Sequence, residues 1–141
     1  MKNTVTNVIN YLEEKEIKYT HFPAEGELTR DVIQVLYTGE HGNSLRFAFF
    51  FDEDGESVNL KCFDIAKANA EKLMNIYVTL NTINCDYRWI KLYLNEENEI
   101  VASTDAIIDP ETAGAECFEL LLHLLSILDD VYPNIMKSLW A

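Results

Sequence analysis

From Ala115 to Val131 the chain reads as a helix that is apolar almost all the way round, and no other segment so restricts the architecture. Its polar residues Glu116, Glu119, His123, Ser126 and Asp130 recur at spacings of three and four, so they form one narrow stripe. Cys117, Phe118, Leu120, Leu121, Leu122, Leu124, Leu125, Ile127, Leu128 and Val131 fill nearly all the rest. A helix resting on one sheet face needs an apolar arc of only a little over about 100°. This arc is much wider and must be covered from more than one side. Other helices of the domain could cover it, or a second copy of the chain, since a two-fold pair needs one self-complementary patch. Asp109-Pro110 reads as the start of this helix, over about 110–131, and Pro133 as the break before a short last helix, NIMKSLWA.

The preceding residues alternate between helical and strand periods. Asn3 or Thr4 can cap a first helix running to about Glu16, with Val5, Val8, Ile9 and Leu12 at helical spacing. Residues 17–24 read as a short strand that Pro23 marks as an edge. Strands DVIQVLYTG, SLRFAFFF and SVNLKCF follow, separated by turns at Gly42-Asn43 and Asp52-Glu53-Asp54-Gly55. In the last of them Val58, Leu60 and Cys62 face one way, Asn59 and Lys61 the other. A helix from Ala66, with Ala70, Leu73, Tyr77 and Leu80 on one stripe, ends at Asn84-Cys85-Asp86. A second hairpin, YRWIKLYL-NEEN-EIVASTD, precedes the apolar helix. Its turn echoes the earlier one: Gly55 and Asn98 fall at the same offset, and both residue types tolerate the positive φ of a tight hairpin. The expected fold is α+β, an antiparallel sheet of about five to six strands flanked by helices in the order α-β-β-β-β-α-β-β-α-α.

The 141 residues suit one domain, 1–141, that buries roughly 68–70% of its unfolded surface. Eleven basic against 24 acidic residues give a net charge of −13, which repels phosphate backbones and anionic bilayers. Nucleic acid and membrane are therefore not expected partners. The N-terminal residues lack the apolar run of a signal peptide, so the expected location is the cytoplasm. Cys62, Cys85 and Cys117 are an odd number without CxxC spacing and read as reduced thiols.

No segment carries a recognisable reaction centre. In Asp52-Glu53-Asp54-Gly55 the glycine comes fourth, where a calcium loop needs it sixth, so the segment reads as a hairpin turn. His21, His41 and His123 lack the spacing of zinc ligands. A GxSxG elbow and phosphate-cradling glycine loops are both missing from the sequence. The expectation is a non-catalytic chain without cofactor or metal.

What remains is apolar surface. By strand alternation Tyr87, Trp89 and Tyr93 share one face, and Phe47, Phe49 and Phe51 share another. If helices cover the phenylalanine face, the Tyr/Trp face is either a half-exposed amphipathic surface or a groove or edge for an extended peptide. Tyr87, Trp89, Tyr93, Leu121, Leu125 and Trp140 are the candidate contacts to a partner or a second copy. The alternative is a small-molecule regulator with a pocket between sheet and last helix, lined by Tyr77, Tyr93 and Cys117.

The segment Phe49-Phe50-Phe51-Asp52-Glu53-Asp54-Gly55-Glu56, then Leu80-Asn81-Thr82-Ile83-Asn84 before Tyr87-Arg88-Trp89, resembles the YbjN family. The hairpin Lys91-Leu92-Tyr93-Leu94-Asn95-Glu96 and the ending Leu128-Asp129-Asp130-Val131-Tyr132-Pro133 match it too, so the resemblance spans roughly residues 5–140. It implies a type III secretion chaperone-like fold and, by analogy of fold, a homodimer that binds segments of a client protein. No catalytic residues come with it.

Overall fold

The computed structural model describes residues 3–140. The turns read from the sequence set its sheet. Gly42, Gly55 and Asn98 take φ of +80°, +74° and +62°, and each closes an antiparallel hairpin. Gly55 N–H donates to Asp52 O, and Asn98 N–H to Asn95 O, both at 3.0 Å. The strands are β1 (Thr20–Phe22), β2 (Val32–Thr38), β3 (Ser44–Phe51), β4 (Ser57–Phe63), β5 (Ile90–Leu94) and β6 (Ile100–Ile107). They form one six-stranded antiparallel sheet in the order β1-β2-β3-β4-β6-β5. The helices are α1 (Asn3–Glu14), α2 (Leu73–Asp86) and α3 (Ala113–Trp140). Because α2 carries the chain to the far edge, β5 becomes the rim and β6 returns beside β4.

Alternation buries one face of this sheet. Val35, Phe47 and Cys62 line up across β2, β3 and β4, as do Ile33, Phe49 and Leu60. All six are buried under the helices, as the expected phenylalanine face requires. Ala66 and Ala68 are engaged instead by the β5–β6 turn: Ala68 N–H donates to Asn98 O and Ala66 O accepts from Ile100 N–H, both at 2.9 Å. The second helix therefore begins at Leu73, after a 3₁₀ turn at Ala70–Lys72, and not at Ala66. Its buried residues are Ile76, Leu80 and Ile83, which leaves Tyr77 exposed.

The wide apolar arc of α3 is largely covered within the domain. α1 packs along one flank, α2 along the other, and the sheet lies beneath. Cys117, Leu121, Leu124, Leu128, Val131 and Ile135 are all buried. The start of α3 is clamped by Asn7 of α1, whose amide donates to Glu111 O at 2.9 Å and whose oxygen accepts from Gly114 N–H at 2.8 Å. Glu116 completes the cap by accepting from Asp109 N–H at 2.9 Å.

The expected break at Pro133 does not occur; α3 runs through it to Trp140. A proline inside a helix lacks the N–H that would pair with the carbonyl four residues earlier, here Asp129. The β2–β3 turn supplies the missing donor. His41 Nε2–H donates to Asp129 O at 2.9 Å, and the ring stacks on Tyr132 with centroids 5.3 Å apart. Glu40 N–H donates to the Asp129 carboxylate at 3.0 Å. The orphaned carbonyl is satisfied from outside the helix, so the helix need not end. His41→Ala is expected to cost about 1–2 kcal/mol in urea unfolding. Most of that loss is expected to vanish in a Pro133→Ala background, where the backbone N–H returns; an equal cost in both backgrounds would mean that His41 acts elsewhere.

Candidate functional site

The backbone at Trp89 sets the site. Strand alternation would place Trp89 with Tyr93, but Trp89 adopts φ of +76°, a left-handed conformation rare for a bulky residue and costing about 1–3 kcal/mol. Thr104 Oγ1–H holds it there, donating to Trp89 O at 2.8 Å. The reversal separates the three aromatics expected on one face. Tyr93 lies on the open side of the sheet, and its hydroxyl accepts from Lys61 Nζ at 3.2 Å. Tyr87 turns toward α3 and donates to the Asp130 carboxylate, which, with burial, raises the phenol above its usual range. Trp89 stays 71% exposed at the start of β5.

Trp89 is one wall of a groove of about 690 Å³ between the sheet and α3. Thr104, Ala106 and Ile107 of β6 line it, with Glu116, Glu119, Leu120 and His123 of α3 opposite. Its position follows from unequal strand lengths. β5 begins at Ile90, opposite Thr104, so the last three residues of β6 pair with β4 alone. Among the described residues no strand lies beside them, and Ile107 is left 89% exposed. The polar stripe read on α3 is thus one rim of a mainly apolar groove.

The β5 edge is capped at its middle residue. Asn84 of α2 donates to Leu92 O at 3.0 Å and accepts from Leu92 N–H at 2.8 Å, replacing a further strand. The opposite edge, β1, is three residues long and ends before Pro23. The open sheet face is occupied by its own cations: Arg30 over Phe50 at 5.7 Å, Arg46 over Phe63 at 4.7 Å and Lys61 over Tyr93 at 5.8 Å. Tyr93 is accounted for by that packing.

Of the other expected contacts, Leu121 is only 1% exposed and belongs to the core, because it sits on the α3 arc that faces the sheet. Leu125 is half-buried and Trp140 is 80% exposed. Between them in kind is Leu122, 41% exposed, which the sequence did not single out from its apolar neighbours. The pocket expected from Tyr77, Tyr93 and Cys117 does not form. Tyr77 faces solvent on α2, Cys117 is buried beneath α3, and Tyr93 lies on the opposite side of the sheet. A groove does lie between sheet and last helix, but other residues line it. Thr104, Ala106, Ile107 and Leu120 were missed; the only hint in the sequence was the apolar Ala106-Ile107-Ile108 continuing past the expected strand end.

Reactive chemistry is sparse. Burial pushes the Cys117 thiol up to about 12 and Cys62 higher still, so neither offers a thiolate near neutral pH. His21 is paired with Asp31 at 2.9 Å and His41 with Asp129 O, while His123 stands on the groove rim. Among the described residues no group of three or more His, Cys, Asp or Glu is placed to hold a metal, and no helix is long and apolar enough to cross a membrane.

A family model described as "YbjN: Putative bacterial sensory transduction regulator" matches residues 4–135. No curated protein matches the chain. Among solved structures, the chain is similar to that of YbjN from E. coli, described as a putative transcription regulator, with 6% identity, TM-score 0.63 and 92% of each chain covered. It is also similar to a chain of the heterodimeric ExoU–SpcU complex of the type III secretion system of Pseudomonas aeruginosa. There the identity is 11%, the TM-score 0.52, and 92% of this chain and 95% of that one are covered. At such identities the likeness is one of fold, and the fold is type III secretion chaperone-like as the sequence suggested.

Proposed function

The chain belongs to the YbjN family, and from that premise we propose that it is a non-catalytic protein-binding domain with a chaperone-like or regulatory role, which seats a segment of a client protein in the Trp89 groove. The observation that carries this reading is the exposed apolar wall at a place where the sheet lacks a strand. Trp89 and Ile107 are large apolar side chains left at the surface, and backbone strain is spent to keep Trp89 there. The heterodimeric complex of similar fold is a precedent for such a domain engaging another protein.

A photo-reactive side chain at position 107, irradiated in native cytosol, is expected to give discrete cross-linked species that Trp89→Ala abolishes. The same species from a probe at Leu36, exposed on the open sheet face, would sink the groove reading.

Self-association is the second part of the reading. Leu122 and Trp140 lie about five helical turns apart on α3 and so point in similar directions, with half-buried Leu125 beside them. A two-fold pair can use that single row. Light scattering at micromolar concentration is expected to give twice 16.2 kDa, falling to one chain on Trp140→Glu; a monomer from the unaltered chain would remove the dimer.

A further inference from the structure

We propose that the occupant of the groove is a cationic segment: an extended stretch of a partner protein alternating apolar and Lys or Arg residues. This rests on the groove reading and adds the chemistry of the ligand. Among the described residues the charged side chains lining the groove are Asp105, Glu116 and Glu119, with no Lys or Arg in the lining; the Arg88 guanidinium is taken up over the Trp89 ring, 5.3 Å from its centroid. Glu116 is partly committed, since its Oε1 accepts from Asp109 N–H and Thr112 Oγ1–H to cap α3. Asp105 accepts from Asn59 at 2.9 Å. Glu119, one turn further along α3, is exposed and has no ion-pair partner among the described residues. An anionic rim above an apolar floor favours a ligand that buries apolar side chains between Trp89, Ala106 and Leu120, while its alternating cations, on the other side of the strand, meet Asp105 and the cations at its overhanging ends reach Glu119. The net charge of −13 adds a long-range attraction of the same sign and works against an acidic ligand.

The extended form follows from the edge. The last three residues of β6 have β4 on one side and, among the described residues, no strand on the other, in line with the space that β5 leaves. A ligand strand there would continue the sheet, with alternate side chains toward α3 and away from it.

The test uses Trp140→Phe protein, in which Trp89 is the one remaining tryptophan, and three eight-residue peptides alternating leucine with lysine, glutamine or glutamate. The leucine/lysine peptide is expected to shift Trp89 emission to shorter wavelength and to bind about tenfold more tightly than the glutamine peptide at low salt, the gap narrowing as salt is added. Glu119→Lys is expected to weaken it about tenfold, and Glu96→Lys, at the opposite end of β6, less than about twofold. Equal binding of the lysine and glutamine peptides, both moving Trp89 emission, would overturn the cationic preference while leaving the groove reading in place. Equal loss from Glu96→Lys and Glu119→Lys would also overturn it, by showing attraction to the whole surface. If no peptide moves Trp89 emission, the groove reading falls as well.

Discussion

Leu121→Ala is expected to destabilise the domain by about 2–5 kcal/mol, whereas Leu122→Ala, one residue on, costs about 1 kcal/mol or less. The two leucines are chemically identical neighbours in a continuous apolar run. Leu121 is 1% exposed and sits between the sheet and the flanking helices; Leu122 points outward. Truncating Leu121 removes its burial and also leaves a void that close-packed neighbours only partly fill. Truncating Leu122 removes apolar surface that water already touches. Urea midpoints at unchanged slope measure both. These values are expected at a dilution that separates any pair: similar losses there would mean that the domain itself covers Leu122, whereas a Leu122 loss that grows with protein concentration is the mark of the proposed dimer.

The second large effect is at Gly114. Alanine in a helix interior is normally favourable by about 1 kcal/mol relative to glycine. Here a Cβ would lie 2.3 Å from Tyr11 Cβ and 3.0 Å from Asn7 O. Tyr11 Cβ is fixed to the α1 backbone, so no rotamer change relieves the contact. The two helices must move apart, which lengthens the Asn7 hydrogen bonds to Gly114 N–H and Glu111 O at the start of α3. Overpacking of this kind costs about 1–3 kcal/mol and exceeds the gain in propensity. Gly114→Ala is therefore expected to lower the urea midpoint; a rise would show that the helices do not cross so closely.

Hairpins, strand spans and the buried phenylalanine face were legible because they rest on local rules. Gly55 and Asn98 announce positive φ, and alternation in SVNLKCF announces which side is buried. Pro133 misled for an equally physical reason. The rule that proline ends a helix assumes an unsatisfied carbonyl, and the partner that satisfies it, His41, lies far away in the sequence. The Tyr/Trp face failed at one torsion: nothing in YRWI signals that Trp89 adopts a left-handed conformation, because Thr104 and the approach to the sheet impose it.

The sequence by itself determined the class of fold, the acidic surface and the demand that the last helix be covered on several sides. Those follow from periodicity and charge, which are properties of neighbouring residues. Only the tertiary structure decided what does the covering and what is left over. α1, α2 and the sheet take Leu121 into the core, and the mismatch between a β5 that starts late and a β6 that runs on leaves Trp89 and Ile107 at a groove. Strand pairing and helix crossing join residues far apart in the chain, and the local pattern carries no record of where they meet.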